Sequence, residues 1–143
     1  MKRGFDYIGV GIGAVVINYK GRLFLSQRGK KAQNERGKWE FPGGALEFGE
    51  NFETTIIREI KEEFGFEIKT LYQLEPFNHY LPEEHQHWVA LCFVCQVVSG
   101  GPKILEPEKC QNIGWFTIKA AKQLDLTMTA VQRIKQLEEL KVT

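Results

Sequence analysis

Three cysteines in 143 residues are too few for a disulfide framework. Cys92 and Cys95 have CxxC spacing, but they fall in HWVALCFVCQVV, which reads as a strand. Residues three apart in a strand point to opposite faces, so neither a chelate nor a redox pair is expected there. Both read as buried structural thiols, and Cys110 stands alone in an expected loop. No stretch approaches about 18 consecutive apolar residues, which excludes a helical membrane span. The opening MKRGFDYIGV has Lys2 and Arg3, but Asp6 and the glycines interrupt any apolar stretch. A secretory signal is therefore not expected, and a cytoplasmic protein is. Neither sign of charge dominates: 19 Lys and Arg stand against 18 Asp and Glu, interspersed, for a net charge of +1. Without a basic stripe, a polymeric nucleic acid is not an expected partner. A small anionic ligand needs only local positive charge. Histidine is scarce too: His85 and His87 read as alternating on one strand face, with His79 nearby. Zinc would need a fourth ligand and better spacing.

What is present suits a single domain over residues 1–143, long enough to bury about 70% of its unfolded surface. Ile8–Asn18 is apolar and β-branched and reads as a buried strand. After the turn at Lys20-Gly21, Arg22–Arg28 alternates as its hairpin partner. Gly29–Lys38 reads as a loop, and Phe41-Pro42-Gly43-Gly44 as a turn. Further strands are expected over Ile68–Phe77, His87–Val98 and Ile113–Ile118, with a turn at Ser99–Pro102. A short helix is expected over Ala120–Leu124. A last helix, capped by Thr129, carries Ala130, Ile134, Leu137 and Lys141 at helical spacing.

The most informative segment is GALEFGENFETTIIREIKEEFGF, residues 44–66. Asn51 is placed to cap a helix, Glu53 suits its first turn, and Gly65 suits its end. Ile56, Ile60 and Phe64 form the apolar stripe, widened by Phe52 and Ile57. At about 100° per residue, Glu59 and Glu63 fall at the edge of that stripe, one turn apart. Glu62 lies further round, where Arg58 can brace it. A surface helix would put its acids opposite the stripe. Two acids leaning inward suggest that they line a cleft. Small hard cations such as Mg²⁺ take one or two carboxylates plus substrate phosphates. The segment therefore suggests a metal-assisted enzyme for a phosphorylated substrate. The neighbouring glycines let backbone approach a ligand closely and can offer a carbonyl to a metal.

The pattern Gly44-x5-Glu50-x7-Arg58-Glu59-Ile60-x-Glu62-Glu63-x-Gly65-Phe66 matches every position of the Nudix box. The resemblance extends outward. Gly11–Asn18 looks like that family's first core strand, and Trp39-Glu40-Phe41-Pro42-Gly43-Gly44 like its loop before the box. Glu106-Pro107-Glu108-Lys109 followed by Trp115-Phe116 is similar to a segment of MutT-like members. The resemblance implies an α/β (α+β) fold, an α/β/α sandwich around a mixed sheet. It also implies a Mg²⁺-dependent nucleotide pyrophosphohydrolase, with Mn²⁺ able to stand in. By resemblance the Gly43 carbonyl joins the metal shell and Arg58 orients it. Glu59 and Glu63 are the leading metal ligands, with Glu62 a third, and Glu50 is expected to act behind them. Members differ in their catalytic base: some use a carboxylate of the box, others one from a later loop, where Glu106 and Glu108 stand. Glu108 is the one taken forward.

On the substrate side, Arg28 and Lys38 are candidate phosphate cations and Gly44 a backbone contact. Phe77, His79 and Trp88 are candidates to stack on or rim a base. Two classes of function compete. A hydrolase keeps the box acids, whereas a nucleotide-sensing Nudix module usually loses them; this chain has them all. Within hydrolases, nucleoside or deoxynucleoside di- and triphosphates are favoured by the few residues before the first strand and the MutT-like segment. ADP-ribose is the alternative, suggested by Pro82 sixteen residues after Phe66. Dinucleotides and pterin triphosphates stand behind both. The partner is a small nucleotide, and monomer and homodimer are both open.

Overall fold

The computed structural model of the protein describes residues 1–32 and 34–140. The chain runs through β1 (Gly9–Ile17), β2 (Leu23–Arg28), β3 (Trp39–Glu40) and β4 (Gly43–Ala45) into α1 (Phe52–Phe64). It continues through β5 (Glu67–Gln73), β6 (Phe77–Leu81), a 3₁₀ turn at Pro82–Glu84, β7 (Gln86–Ser99) and β8 (Cys110–Phe116). It closes with α2 (Ile118–Ala121) and α3 (Met128–Glu139). The strands form one mixed sheet with the path β3-β2-β1-β7-β5; β4 joins β1, β6 joins β7 and β8 joins β2. Its spine is the parallel β1–β7 pair, in register from Gly9↔Trp88 to Ile17↔Gln96.

The two-residue period of β1 sorts its side chains between two layers. Ile12, Ala14 and Val16 face Ile56, Ile60 and Phe64 of α1. Val15 faces Leu137 of α3, and Leu25 of β2 packs with Ala121 of α2 and Ile134 of α3. The result is the α/β/α sandwich around a mixed sheet that the resemblance implied. Cys92 and Cys95 fall in clusters on opposite faces. Phe24 is buried edge-on against Phe64 at 5.1 Å and Phe66 at 5.5 Å, which anchors the C-terminal end of α1. No described helix is long and apolar enough to cross a membrane.

Helix α1 forms where its capping residues place it. Asn51 accepts the Thr54 N–H at 2.8 Å. Gly65 turns left-handed at φ 74°, and its N–H reaches the Lys61 carbonyl. A β-carbon is disfavoured in that conformation, so glycine is the fitting stop. Thr55 is buried on the inner face, whereas Phe52, expected to widen the stripe, is 42% exposed.

Other expectations are corrected. The single strand over Ile68–Phe77 is two, β5 and β6, parted at Leu74-Glu75-Pro76. Pro76 has no N–H for the ladder, so pairing stops there. The turn at Phe41–Gly44 holds the start of a strand, since Gly43–Ala45 pairs with Gly11–Gly13. Cys110 opens β8 and is 7% exposed, not alone in a loop. His85 ends the 3₁₀ turn at φ 53°, so it shares no strand face with His87. The short helix begins at Ile118, with Thr117 as its cap. The cap of α3 is Thr127, whose hydroxyl accepts the Ala130 N–H, and Thr129 lies inside the helix. Lys141 falls outside the described residues.

Thr127 is 2% exposed, so its capping bond cannot be replaced freely by water. Thr127→Ala is expected to cost about 1 kcal/mol in urea unfolding, and Thr129→Ala under about 0.5 kcal/mol. An equal or larger loss from Thr129→Ala would return the cap to that position.

Candidate active site

One arginine organises the acidic edge of α1. Arg58 grips Glu50 with two bonds, Nε to Oε2 at 2.8 Å and Nη2 to Oε1 at 2.9 Å. Its Nη1 also donates to Glu59 and to Glu62, each at 3.2 Å. Bracing of Glu62 is therefore real, but the two-pronged partner is Glu50. Glu50 also accepts from the Glu47 N–H and the Thr55 hydroxyl, both at 3.1 Å. The Arg58 bonds hold its carboxyl down at about 2, and they raise the pKa of Arg58 in turn.

Glu59 and Glu63 lie one turn apart; Glu59 shares Arg58 Nη1 with Glu62, whereas none of the ion pairs among the described residues includes Glu63. Glu59 rests on the backbone of β4: a β-carbon on Gly44 would come within 2.3 Å of its carboxyl carbon. Only glycine allows that approach. Burial, then the charge of Glu59, pushes the Glu63 carboxyl up to about 8, with Glu106 adding and Lys109 opposing. Glu106 reaches this place because its segment docks on the end of α1, with the Leu105 N–H on the Glu63 carbonyl at 3.2 Å. Lys109 pairs with Glu106 at 3.0 Å. Glu108 instead points outward to Lys31 at 3.6 Å, both side chains 72% exposed.

Beside these groups opens a cavity of about 470 Å³. It exists because β2 meets β1 only at Ile17↔Leu23 and then diverges. Residues of both helix layers line it: Glu63 and Phe64 from α1, Thr127, Ala130 and Arg133 from the α3 side. Of the sequence candidates, Arg28, Gly43, Gly44, Glu63, His79 and Trp88 line it too. Arg58, Glu59, Glu62, Phe77, Glu108 and Lys38 are outside that lining. Arg28 is tied to Glu40 at 3.0 Å and to Asn34. Burial lowers the pKa of His79. Trp88 bonds Gln86 at 3.1 Å.

Three lining residues escaped the sequence reading. Glu40 ends β3, just before the box, and its pKa is raised because burial outweighs Arg28. Lys109 adds a cation beside Glu63. Arg133 lies on the inner face of α3, 4% exposed. A charge just before Ile134 on an otherwise apolar face was the available signal.

The donor set fits a small divalent cation. Among the described residues no three His, Cys, Asp or Glu groups converge to hold a metal by themselves. Mg²⁺ does not ask for that: two carboxylates, a backbone carbonyl and substrate phosphates suffice. Glu59, Glu63 and the Gly43 carbonyl could be the protein's share; Glu59 and Glu62 each also accept from Arg58 Nη1 at 3.2 Å.

The electrostatics have a consequence in chelator. Folding raises the Glu63 pKa from 4.5 to about 8, so the folded state holds that proton more tightly. Its contribution to stability is full below about pH 4.5 and is lost as pH rises through about 8. The metal-free melting temperature should therefore fall across that range. Glu63→Gln, which cannot ionise, should flatten the fall. Parallel curves for the two proteins would contradict the burial of this charge.

A family model for the NUDIX domain matches residues 8–137. A MutT-like protein of Streptomyces ambofaciens is 30% identical over 131 residues, 92% of this chain and 76% of that protein. An 8-oxo-dGTP diphosphatase of Proteus vulgaris is 35% identical over 71 residues, 50% of this chain and 62% of that protein. A relative from Caenorhabditis elegans, a nudix hydrolase, is matched over only 33% of its length. The crystal structure of a MutT NUDIX hydrolase from Burkholderia pseudomallei superposes with TM-score 0.84 at 31% identity, covering 92% of this chain and 99% of that one. With its box, its sandwich and nearly all its described length under one family pattern, the chain belongs to the Nudix hydrolase family, among its MutT-like members.

Proposed function

We propose that the protein is a divalent-metal-dependent pyrophosphohydrolase that cleaves a nucleoside or deoxynucleoside triphosphate to the monophosphate and pyrophosphate. One observation carries this reading: Glu63, its carboxyl raised by burial and by Glu59 beside it, lines a cavity whose walls also hold Arg28 and Lys109. A phosphoanhydride is anionic and repels nucleophiles. Bound Mg²⁺ neutralises its oxygens, orients the phosphates and acidifies water. The rest falls to side chains. Arg58 fixes Glu59 against Gly44, and Glu50 fixes Arg58. Lys109 and Arg28 supply positive charge toward phosphate. Glu106, close enough to raise the Glu63 pKa, is better placed than Glu108 to take a proton from water.

The relative named as an 8-oxo-dGTP diphosphatase supports a nucleotide substrate, and this chain spans 62% of it. Against ADP-ribose stands a bridge between the loop after β2 and the turn before β7: the Asn34 amide donates to Glu84 at 3.1 Å. Glu84 follows Pro82 in that turn. Asn34 also lines the cavity.

The test is a screen of metal-stripped protein against nucleoside triphosphates and ADP-ribose, with and without Mg²⁺, products identified. Turnover is expected only with metal, with kcat/KM higher for a triphosphate than for ADP-ribose. Glu63→Gln should lose on the order of 10²–10⁴ in rate. Equal turnover without metal would overturn the mechanism. A preference for ADP-ribose of about tenfold, about 1.4 kcal/mol, would overturn the substrate ranking.

A further inference from the structure

Arg133 is a buried cation with no carboxylate beside it. It lies on α3 and is 4% exposed, and none of the ion pairs among the described residues includes it. Neutral oxygens hold its guanidinium instead. Nη1 donates to the Glu75 carbonyl and to Gln136 Oε1, both at 2.8 Å, and Nη2 to the Ala90 carbonyl at 3.0 Å. The Phe77 ring lies 4.3 Å from its charged carbon. These contacts tie α3 to the sheet, but they do not require a full charge. A buried charge without a counterion is costly. A guanidinium has five N–H donors, and three are taken, which leaves Nε–H and one Nη2–H. Arg133 lines the cavity, and so does Ala130 one turn earlier on the same face, with no long side chain to cover it.

We propose that Arg133 reads the base of the bound nucleotide and selects an edge with two adjacent hydrogen-bond acceptors, the N7/O6 edge of an unoxidised 6-oxopurine. This rests on the nucleotide reading above and places the two ends of the substrate on opposite sides of the sheet. Phosphates lie toward Glu63 on the α1 side, the base toward Arg133 on the α3 side. Arginine pairs with two bonds to guanine N7 and O6, whereas adenine offers a donor where guanine has O6. An 8-oxopurine carries a hydrogen on N7, which turns that acceptor into a donor facing the guanidinium. The protein should therefore disfavour the oxidised base that appears in the name of its Proteus vulgaris relative.

Binding of monophosphates in chelator, followed by calorimetry, tests this without hydrolysis or metal. dGMP and dIMP, which keep both acceptors, should bind about tenfold or more tighter than dAMP, 7-deaza-dGMP, 8-oxo-dGMP or dCMP. In Arg133→Gln, checked for native circular dichroism, that preference should collapse. The wild-type series decides the matter even if the variant does not fold. Equal binding of dGMP and dAMP, failure of both to bind, tight binding of 8-oxo-dGMP, or an unchanged preference in folded Arg133→Gln would overturn the proposal. Preference without turnover in the Mg²⁺ assay would instead overturn the hydrolase reading and leave this one standing.

Discussion

The two-pronged bond between Arg58 and Glu50 is the contact on which the acidic edge of α1 depends. Four carboxylates crowd this segment, and Arg58 touches three of them, Glu50, Glu59 and Glu62. One positive charge cannot balance four negative ones. Arg58 does not reach Glu63, whose pKa is raised first by burial and then by the charge of Glu59. The arrangement gives Glu50, Glu59 and Glu62 a share of one positive charge and leaves Glu63 without one. On the proposed reading Glu59 and Glu63 would attract a small hard cation, with no closed cage of protein ligands because the substrate would bring oxygens of its own.

A second constraint is the parting of β1 and β2. A sheet paired along its whole width would have no interior opening. Here β1 turns to β4 for partners at Gly11–Gly13, while β2 pairs with β8 over most of its length. The gap is lined from both helix layers, by Glu63 and Phe64 of α1 and by Ala130 and Arg133 of α3. Short side chains on β1 keep it open, since Gly11 and Gly13 both line it. The proposed phosphate chemistry and the proposed base recognition would thus fall to different elements. That division lets the α3 side vary without touching the acids.

Local chemistry made much of this legible in the sequence. Asn51, Gly65 and the Ile56–Ile60–Phe64 stripe define α1 by capping and periodicity, and the structure follows them closely. The inward lean of Glu59 and Glu63 was visible from the same angular count. What was not visible depends on tertiary contact. Glu50 as the main partner of Arg58 lies eight residues away, outside the i, i+4 reckoning that pointed to Glu62. Glu106 and Glu108 are equivalent in a linear reading and are told apart only by how residues 103–110 dock on α1. Arg133 looked like one more helix residue because its acceptors, Glu75 and Ala90, are brought to it by the fold. Pro76 stands inside the strand expected over Ile68–Phe77 and was the local signal for the split of β5 from β6.

The claim at the centre is that Glu59 and Glu63 bind the cation together. Titration of the metal-free protein with Mn²⁺, followed by electron paramagnetic resonance, measures this directly. The account predicts saturable binding by the wild type, weakened about tenfold or more in folded Glu59→Gln and in folded Glu63→Gln. Wild-type affinity in Glu63→Gln would contradict it.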